Sequence, residues 1–436
     1  MTALPVTPDF KDTPYWWEAS PLRDAAPEPL PEQADAVVVG TGFTGLSAAL
    51  TLARRGTSTV VLDAEAPGFG ASTRNSGMTA FLLPTKASAL VSRFGEERGG
   101  AMQRAAVEAH DGLAELIADE GIACHFARCG RFVGAETPAH YERMAHELDL
   151  MARLAGVQGE MVPREAQGRE IGSTHYHGGM LLTQAGALHP GLYHRGLLER
   201  AEAAGAQVHG HAPVLSVSRQ GGGFRVQTAR GAIAAETVIV ATNGYTGPES
   251  PWLRRRIVPV GASVTVSEPV EPGLLESVLP TGRAMTDSKI NIYSARRSPD
   301  GTRLQFAAAR GLLMRDPRRK AAEVHRVLAA VFPQAAHLRI AFCWTGQMGF
   351  AFDRQPHIGA RDGVRHAMGY CGSGVSMATW LGRKAALQSL SDPAGATPFD
   401  GLPFPTRPFY RGRPWFLPAA VRYYNWLDRR DRARAA

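Results

Sequence analysis

A change of hydrophobic period marks the first structural unit of the chain. Residues 36–39 (AVVV) are an unbroken apolar run, the pattern of a strand buried on both faces. From Leu46 the apolar positions switch to helical spacing (Leu46, Ala49, Leu50, Ala53), and Gly56 stands where such a helix would end. Residues 60–62 (VVL) form a second apolar strand, closed by Asp63. Between the first strand and the helix, Gly40, Gly42 and Gly45 fall in the spacing G-x-G-x-x-G, with Phe43 and Thr44 at the helix start. In such a turn the first glycine permits a tight bend, the second lets backbone approach a pyrophosphate, and the third lets helix pack on strand. The helix start offers free N–H groups and a positive dipole end to phosphates. Asp63 lies 18 residues beyond Gly45, where it and Ala64 would meet an adenosine ribose. A lone glycine signature is weak, but strand, turn, helix, strand and acid in this order predict a dinucleotide site.

The pattern then predicts helices over 87–94, 99–120 and 141–155, a strand over 124–133, and a helix over 191–204 opened by His189–Pro190. Short strands follow at 214–217, 224–228 and 232–234, and a buried one at 237–241. Residues 262–266, 284–287, 291–295 and 303–308 read as antiparallel strands, with Ser298-Pro299-Asp300-Gly301 a strong turn between the last two. A helix at 321–332, strands at 339–344 and 366–370, and a long helix at 376–390 complete the body. No repeat of solenoid or propeller period is present.

The loop after the second strand decides which dinucleotide is expected. A nicotinamide enzyme usually continues with another crossover helix, whereas here Pro67 to Met78 reads PGFGASTRNSGM, small, polar and glycine-rich. Such a loop can lie against a flat ligand and offer it backbone N–H groups. The segment, with Gly70, Ala71, Ser72, Arg74, Asn75, Ser76, Gly77 and Met78, resembles the second flavin-contacting segment of the glycine oxidase/D-amino-acid oxidase (DAO) family of FAD enzymes. Thr73 and Ser76 replace glycines of that pattern. Near the carboxyl end, WTGQMGFAFDRQP from Trp344 and the turn Cys371-Gly372-Ser373-Gly374-Val375 before Ser376 are similar to the same family's last segment. The three motifs keep the family's order over about residues 34–390. The aromatic amino-terminal stretch and Tyr423–Tyr424 resemble the γ-glutamylputrescine oxidoreductase type within the family, while Ala308–Ala309 stand where it often has a glycine pair.

This resemblance implies an α/β protein, α+β overall, of the glutathione-reductase-like two-dinucleotide-binding type. It implies a Rossmann-like FAD-binding domain (34–85, 186–257 and 340–392) and a substrate domain with a mixed, largely antiparallel sheet (86–185 and 258–339). Residues 1–33 would be an arm burying Tyr15, Trp16 and Trp17, and 393–436 a carboxyl-terminal extension. It further implies adenine contacts near Val214, a pyrophosphate-side contact at Ala241–Thr242, and a helix start at Gly372–Ser376 aimed at the flavin N1/C2=O edge. The reaction implied is hydride transfer from a carbon next to nitrogen to flavin N5, with hydrolysis of the imine. Reoxidation would be by O2, giving hydrogen peroxide, or by a quinone or other carrier.

Segments expected to face the isoalloxazine carry Met78, Phe81, His189, Tyr293 and Trp344, and the substrate-facing candidates among them are Tyr293, His189 and Trp344. Tyr293 shares a strand face with Asn291 and Ala295, and His189 also suits a helix cap. A substrate carboxylate would be held by Arg296, Arg310 or Lys86. Asn75 occupies the place where some relatives carry the histidine that links FAD covalently, so non-covalent FAD is expected; Cys343 and Cys371 are the thiols placed near it.

Composition narrows the rest. With 436 residues, 44% hydrophobic and 20% charged, the chain is long enough for two cores and typical of a soluble globular protein. It has no 18-residue apolar run and no basic-then-apolar amino end, so the cytoplasm is expected. Four irregularly spaced cysteines suggest no disulfide framework, and His175-x-His177 lacks further ligands, so no metal is expected. The net charge of +8 is scattered, the runs Arg254–Arg256 and Arg318–Lys320 are short, and no nucleic-acid fold signature accompanies them. No nucleic-acid partner is expected, and the partners are a small amine or amino acid and an electron acceptor. The aromatic and basic tail, PWFLPAAVRYYNWLDRRDRARAA, reads as a last helix docked on the body, with membrane association not expected.

Overall fold

A computed structural model describes residues 4–24, 28–308, 314 and 316–434. Two sheets organise them. In the first, Gln33–Val39 lies parallel between Thr59–Leu62 and the second half of Gly231–Val240. Gln207–His209 extends it beyond Thr59–Leu62, and Val364–Met368 joins at Ile239 and Val240. These strands read as continuous apolar runs because both faces are covered. Val38 and Val61 pack toward helices Phe43–Arg54 and Gly374–Ser389, whereas Val37, Val39 and Val60 pack with Phe224 and Val226. The segment expected as short strands between 214 and 241 is a meander of Val214–Gln220, Gly223–Thr228 and Gly231–Val240.

The second sheet has nine strands in the order Val6–Lys11, Ile340–Ala351, Ile257–Ser267, Leu304–Ala308, Tyr293–Arg297, Ala284–Asp287, Arg131–Gly134, Gly179–Leu182 and Gly159–Val162. Pairing is antiparallel except at Val6–Lys11 with Ile340–Ala351 and at Ala284–Asp287 with Arg131–Gly134. Helix Pro317–Val331 covers one face, its stripe of Val324, Val327, Leu328 and Val331 meeting Phe132, Met285 and Phe306.

Several elements differ from the sequence expectation for visible reasons. The two helices expected at 87–94 and 99–120 run as Ala87–Asp119, broken at Gly95, whose φ of 79° is not helical. The second part folds back so closely that a Cβ on Gly99 would stand 2.8 Å from the Leu90 carbonyl carbon. Residues 124–133 are strand only from Arg131; before it the backbone serves other partners, Cys124 O accepting from His189 N and Ala127 bridging Ala187. The amino-terminal arm is partly sheet: Val6–Lys11 is an edge strand, and Trp16, in the short helix Trp16–Ala19, is completely buried.

Candidate active site

The glycine turn is built by contacts that exclude side chains. Gly40 has φ 106°, and a Cβ there would lie 3.1 Å from the Ala241 carbonyl oxygen, so Ala241–Thr242 abuts the turn. A Cβ on Gly45 would overlap the Gly40 carbonyl oxygen. A Cβ on Gly42 would be 2.9 Å from Ser72 Oγ, which itself accepts the Phe43 N–H at 2.9 Å. The turn and the 70–78 loop therefore interlock. Asp63 does more than end its strand: Oδ2 accepts from Thr41 N (2.8 Å) and Thr41 Oγ1 (2.5 Å), and Oδ1 from Glu65 N (3.1 Å). Exposed Ala64 stands beside it, and the chain returns alongside with Ala212 N donating to Asp63 O, two residues before Val214. Thr41, not singled out in the sequence, is the residue that joins acid to turn. A threonine inside a glycine signature carries no distinguishing pattern.

The late glycine turn adjoins this cradle although some 330 residues separate them. Thr44 Oγ1 and Tyr370 OH are 2.7 Å apart, and Ser47 Oγ donates to Thr379 O at 2.6 Å. Helices Phe43–Arg54 and Gly374–Ser389 touch backbone to backbone, since a Cβ on Gly382 would overlap the Thr44 carbonyl. Gly382 is eight residues into its helix, so the Gly374 end lies about 12 Å along the axis from the first helix's start. Two positive helix ends at that separation suit an extended dinucleotide, pyrophosphate at one and flavin ring at the other. Left-handed Cys371 (φ 48°) and Gly372 (φ 102°) make the bend, with Ser373 at the N-cap, Val375 behind it, and Met348 Sδ 3.6 Å from the position of a Gly372 Cβ. Ser376 Oγ is buried in that first turn with no protein partner, a polar atom that the ring's N–H and C=O edge can satisfy. The residues thus fit FAD.

The large sheet turns one face to the loop. Along it, register places Trp344, Val264, Ala307 and Ser294 in one row, and Phe342, Val266, Gln305 and Arg296 in the next. Trp344 Nε1 donates to Arg74 O (2.9 Å), Trp16 Nε1 to Asn75 O (2.8 Å), and Trp17 Nε1 to Thr73 Oγ1 (2.9 Å). Arg74 is held over the rings of Phe69 and Trp17, and burial lowers its pKa. Asn75 spends its amide on Ala71 O, Ser72 O and the Gly77 N–H. Arg296 Nη1 donates to Ser76 O, Gly77 O and Leu188 O at 2.8–3.1 Å, and burial brings its pKa down to about 10. Gly70 lies beneath the Tyr245 ring, and Met78 pairs with Ala187 in a two-residue strand.

Of the substrate-facing candidates, Trp344 is on this wall. Tyr293 is not: with Ala295 it lies on the opposite face, packed on Phe306 and with Lys289 Nζ 3.3 Å over its ring. The strand's residues toward the loop are Ser294 and Arg296, and Asn291 lies before the strand, bonded to Asn425. His189 is a helix cap, its Nδ1 accepting Leu192 N–H at 3.1 Å; burial pushes its pKa down to about 4. Phe81 is buried, with Gln103 Nε2 on its carbonyl. Arg296 is committed to loop carbonyls, Lys86 is an exposed residue before a helix, and Arg310 lies outside the described residues. Cys343 pairs with Thr265 on the face turned from the loop, a correction to its expected nearness to flavin. Cys371 Sγ donates to Gly369 O (3.2 Å), and burial pushes this thiol up to about 12. Both ring nitrogens of His175 are in use, against Glu136 and Arg432.

A groove of about 440 Å³ lined by Arg365, Gln388, Asp392 and Asp400 is at the far end of Gly374–Ser389, roughly 20 Å from the late turn, and shares none of these groups.

Comparison with known proteins agrees with this geometry. Residues 35–387 match the profile of the DAO family, described as FAD dependent oxidoreductase. The chain is 29% identical over 411 residues to the probable oxidoreductase OrdL of Haemophilus influenzae, covering 91% of this chain and 93% of that protein. It is 29% identical over 400 residues to the γ-glutamylputrescine oxidoreductase of Escherichia coli, again covering 91% and 93%. The crystal structure of glycine oxidase from Geobacillus kaustophilus superposes with a TM-score of 0.68 at 19% identity, covering 87% of this chain and 99% of that one.

Proposed function

Because the chain belongs to the DAO family of FAD-dependent oxidoreductases, we propose that it oxidises an amine or amino acid at the carbon bonded to nitrogen, releasing an imine that water hydrolyses. FAD, when bound, supplies the two-electron acceptor. The Gly40–Gly45 turn would hold its pyrophosphate, Asp63 its ribose, and the 70–78 loop with Gly372–Ser376 its ring. The observation that carries the reading is two helix starts set about 12 Å apart along packed helices beneath one wall of the sheet. That wall is closed by the chain's own amino-terminal arm, with Trp344, Val264 and Ala307 buried against Trp16. The substrate would enter as the free amine, whose nitrogen lone pair assists the departure of hydride from the neighbouring carbon. The Gly374 helix start would stabilise negative charge on a flavin ring held there. The names of the γ-glutamylputrescine oxidoreductase and of glycine oxidase support a nitrogen-bearing substrate.

FAD is held without a covalent bond: Asn75 is spent on backbone, Cys371 is bonded to Gly369 O and Cys343 faces away. Dioxygen reoxidises it, giving hydrogen peroxide. Four free cysteines favour a reducing compartment, the cytoplasm, and no helix among the described residues is long and apolar enough to cross a membrane. The test is anaerobic bleaching of the yellow holoenzyme by polyamines, γ-glutamyl amines, N-methyl amino acids and D-amino acids. At least one primary or secondary amine should bleach it, and air should restore the colour with one peroxide per turnover. Bleaching by hydroxy acids alone would overturn the amine assignment, and a bleached flavin that air leaves reduced would point to a carrier as acceptor.

A further inference from the structure

The last helix, Leu417–Ala433, is attached to the body by its polar side. Asp428 accepts from the Ile290 and Asn291 amides, Asn425 bonds Asn291 Nδ2, and Arg432 reaches His175 and Glu136. Asn425, Asp428 and Arg432 recur at spacings of three and four, so they share one face. Tyr423, Trp426 and Arg430 repeat the same spacing two positions earlier, about 200° around the helix, and so look away from the body. Tyr423 is 55% exposed and stacked on Trp426, which is 53% exposed; Trp415, just before the helix, is 67% exposed. The loop that binds Asp428 adds Ile290 and Ile292, about half exposed. The helix is attached to the body as expected, but through polar residues, with none of its apolar side chains fully buried.

Charge says what covers that stripe. Residues 407–434 hold eight arginines and two aspartates, a net of +6 out of +8 for the whole chain. The rest of the protein is close to neutral, so the positive charge is concentrated on the segment that bears the outward aromatics. Tryptophan and tyrosine beside arginine, with no free carboxylate on the outward row, is the make-up of a helix lying in the headgroup region of an anionic bilayer.

We propose that Leu417–Ala433 and the flanking residues Trp415, Ile290 and Ile292 form a surface that docks the enzyme on an anionic lipid membrane. The aromatic stripe enters the headgroup layer, and Arg422, Arg429 and Arg434 meet lipid phosphates. The surface is independent of the amine chemistry, which needs none of these residues.

The full-length holoenzyme is floated with vesicles of mixed phosphatidylglycerol and phosphatidylcholine, and with phosphatidylcholine alone, at low and high salt. It should rise with the anionic vesicles only, and salt should release it. An arginine near an anionic surface is worth about a fivefold change in partitioning. Neutralising Arg422, Arg429 and Arg434 together to glutamine should therefore weaken binding about a hundredfold. Tyr423→Ser with Trp426→Ser should remove the remainder, with flavin content and thermal midpoint as controls that the body is intact. Failure to float at low salt, or flotation unchanged in both variants, overturns the proposal. So does a dimer in light scattering that the Tyr423→Ser, Trp426→Ser variant turns into monomer, which would assign the stripe to a second copy of the chain.

Discussion

Alanine at Gly45 adds one methyl group at the point where the nucleotide cradle has no room for it. The new carbon would overlap the Gly40 carbonyl oxygen, stand 3.0 Å from the Gly40 carbonyl carbon and 3.3 Å from Val38 Cγ1. Gly45 is inside helix Phe43–Arg54 and not among the residues with positive φ, so the backbone itself accepts alanine and the whole effect is contact. The first two neighbours are backbone and cannot rotate aside, so the helix start must retreat by about 1 Å. Retreat is opposed on another side, where Thr44 O is already against Gly382. Overpacking of this kind costs about 1–3 kcal/mol. The displaced amides are those proposed to hold the pyrophosphate, so on that proposal the loss appears in cofactor binding. At 1.4 kcal/mol per tenfold, the FAD dissociation constant should rise about 5- to 150-fold. The assay is titration of deflavinated protein with FAD, read by tryptophan quenching, beside Gly112→Ala as control. Gly112 is in the Ala87–Asp119 helix with nothing within 4 Å of an added Cβ, so alanine there should stabilise by about 0.5–1 kcal/mol and leave FAD binding alone. Wild-type FAD affinity in Gly45→Ala would refute the placement of the cradle.

Trp344→Phe keeps an aromatic ring but removes part of the buried indole and the N–H donated to Arg74 O, and should cost about 2–4 kcal/mol in melting, with FAD bound less tightly; an unchanged melt and affinity would mean the wall does not hold the loop. Arg296→Gln strips donors from three buried carbonyls and should destabilise by about 2–4 kcal/mol in urea titration, an outcome excluded if the midpoint moves no more than for an exposed arginine such as Arg422. His110 and His189 are held neutral by burial, with pKa values near 4 against 6.5 when unfolded. The folded state thus binds fewer protons, so stability should be complete above pH 6.5 and fall as pH drops toward 4. His189→Asn, which can still cap the helix, should lessen that fall, and an unaltered acid slope would remove His189 from the account. Denaturation in acid should release all the flavin into the supernatant; yellow colour remaining with the precipitate would show a covalent link.

Part of the site could be read along the chain because its signals are local. The strand, glycine turn, helix and Asp63 lie within thirty residues, and each glycine answers a contact that its own neighbours create, as Gly45 does with Gly40. The loop 70–78 and the late turn were legible as motifs, and the aromatic amino end as something buried. The partners of those motifs were not. Nothing near Trp16 announces that its indole ties Asn75 O, and nothing near Thr44 points to Tyr370.

Sequence by itself determined the strand–turn–helix–strand unit and the order of most later elements, since hydrophobic period and turn chemistry act over a few residues, whereas the strands Val6–Lys11, Gly159–Val162 and Gly179–Leu182 left no such mark. Tertiary structure alone decided direction. On the strand Tyr293–Arg297 the residues alternate sides, but Tyr293 and Arg296 are both buried, so no polarity marks which side meets the loop. His189 became a cap and Cys343 turned to the opposite, buried face, against Ala321, by the same unmarked choice. On the last helix the polar row found partners in the 287–292 loop and at Glu136, and these distant partners left the aromatic row facing out. A strand with two buried faces and a helix whose anchors are far in sequence carry no local record of what they face, because that is set by which surfaces meet when the chain closes.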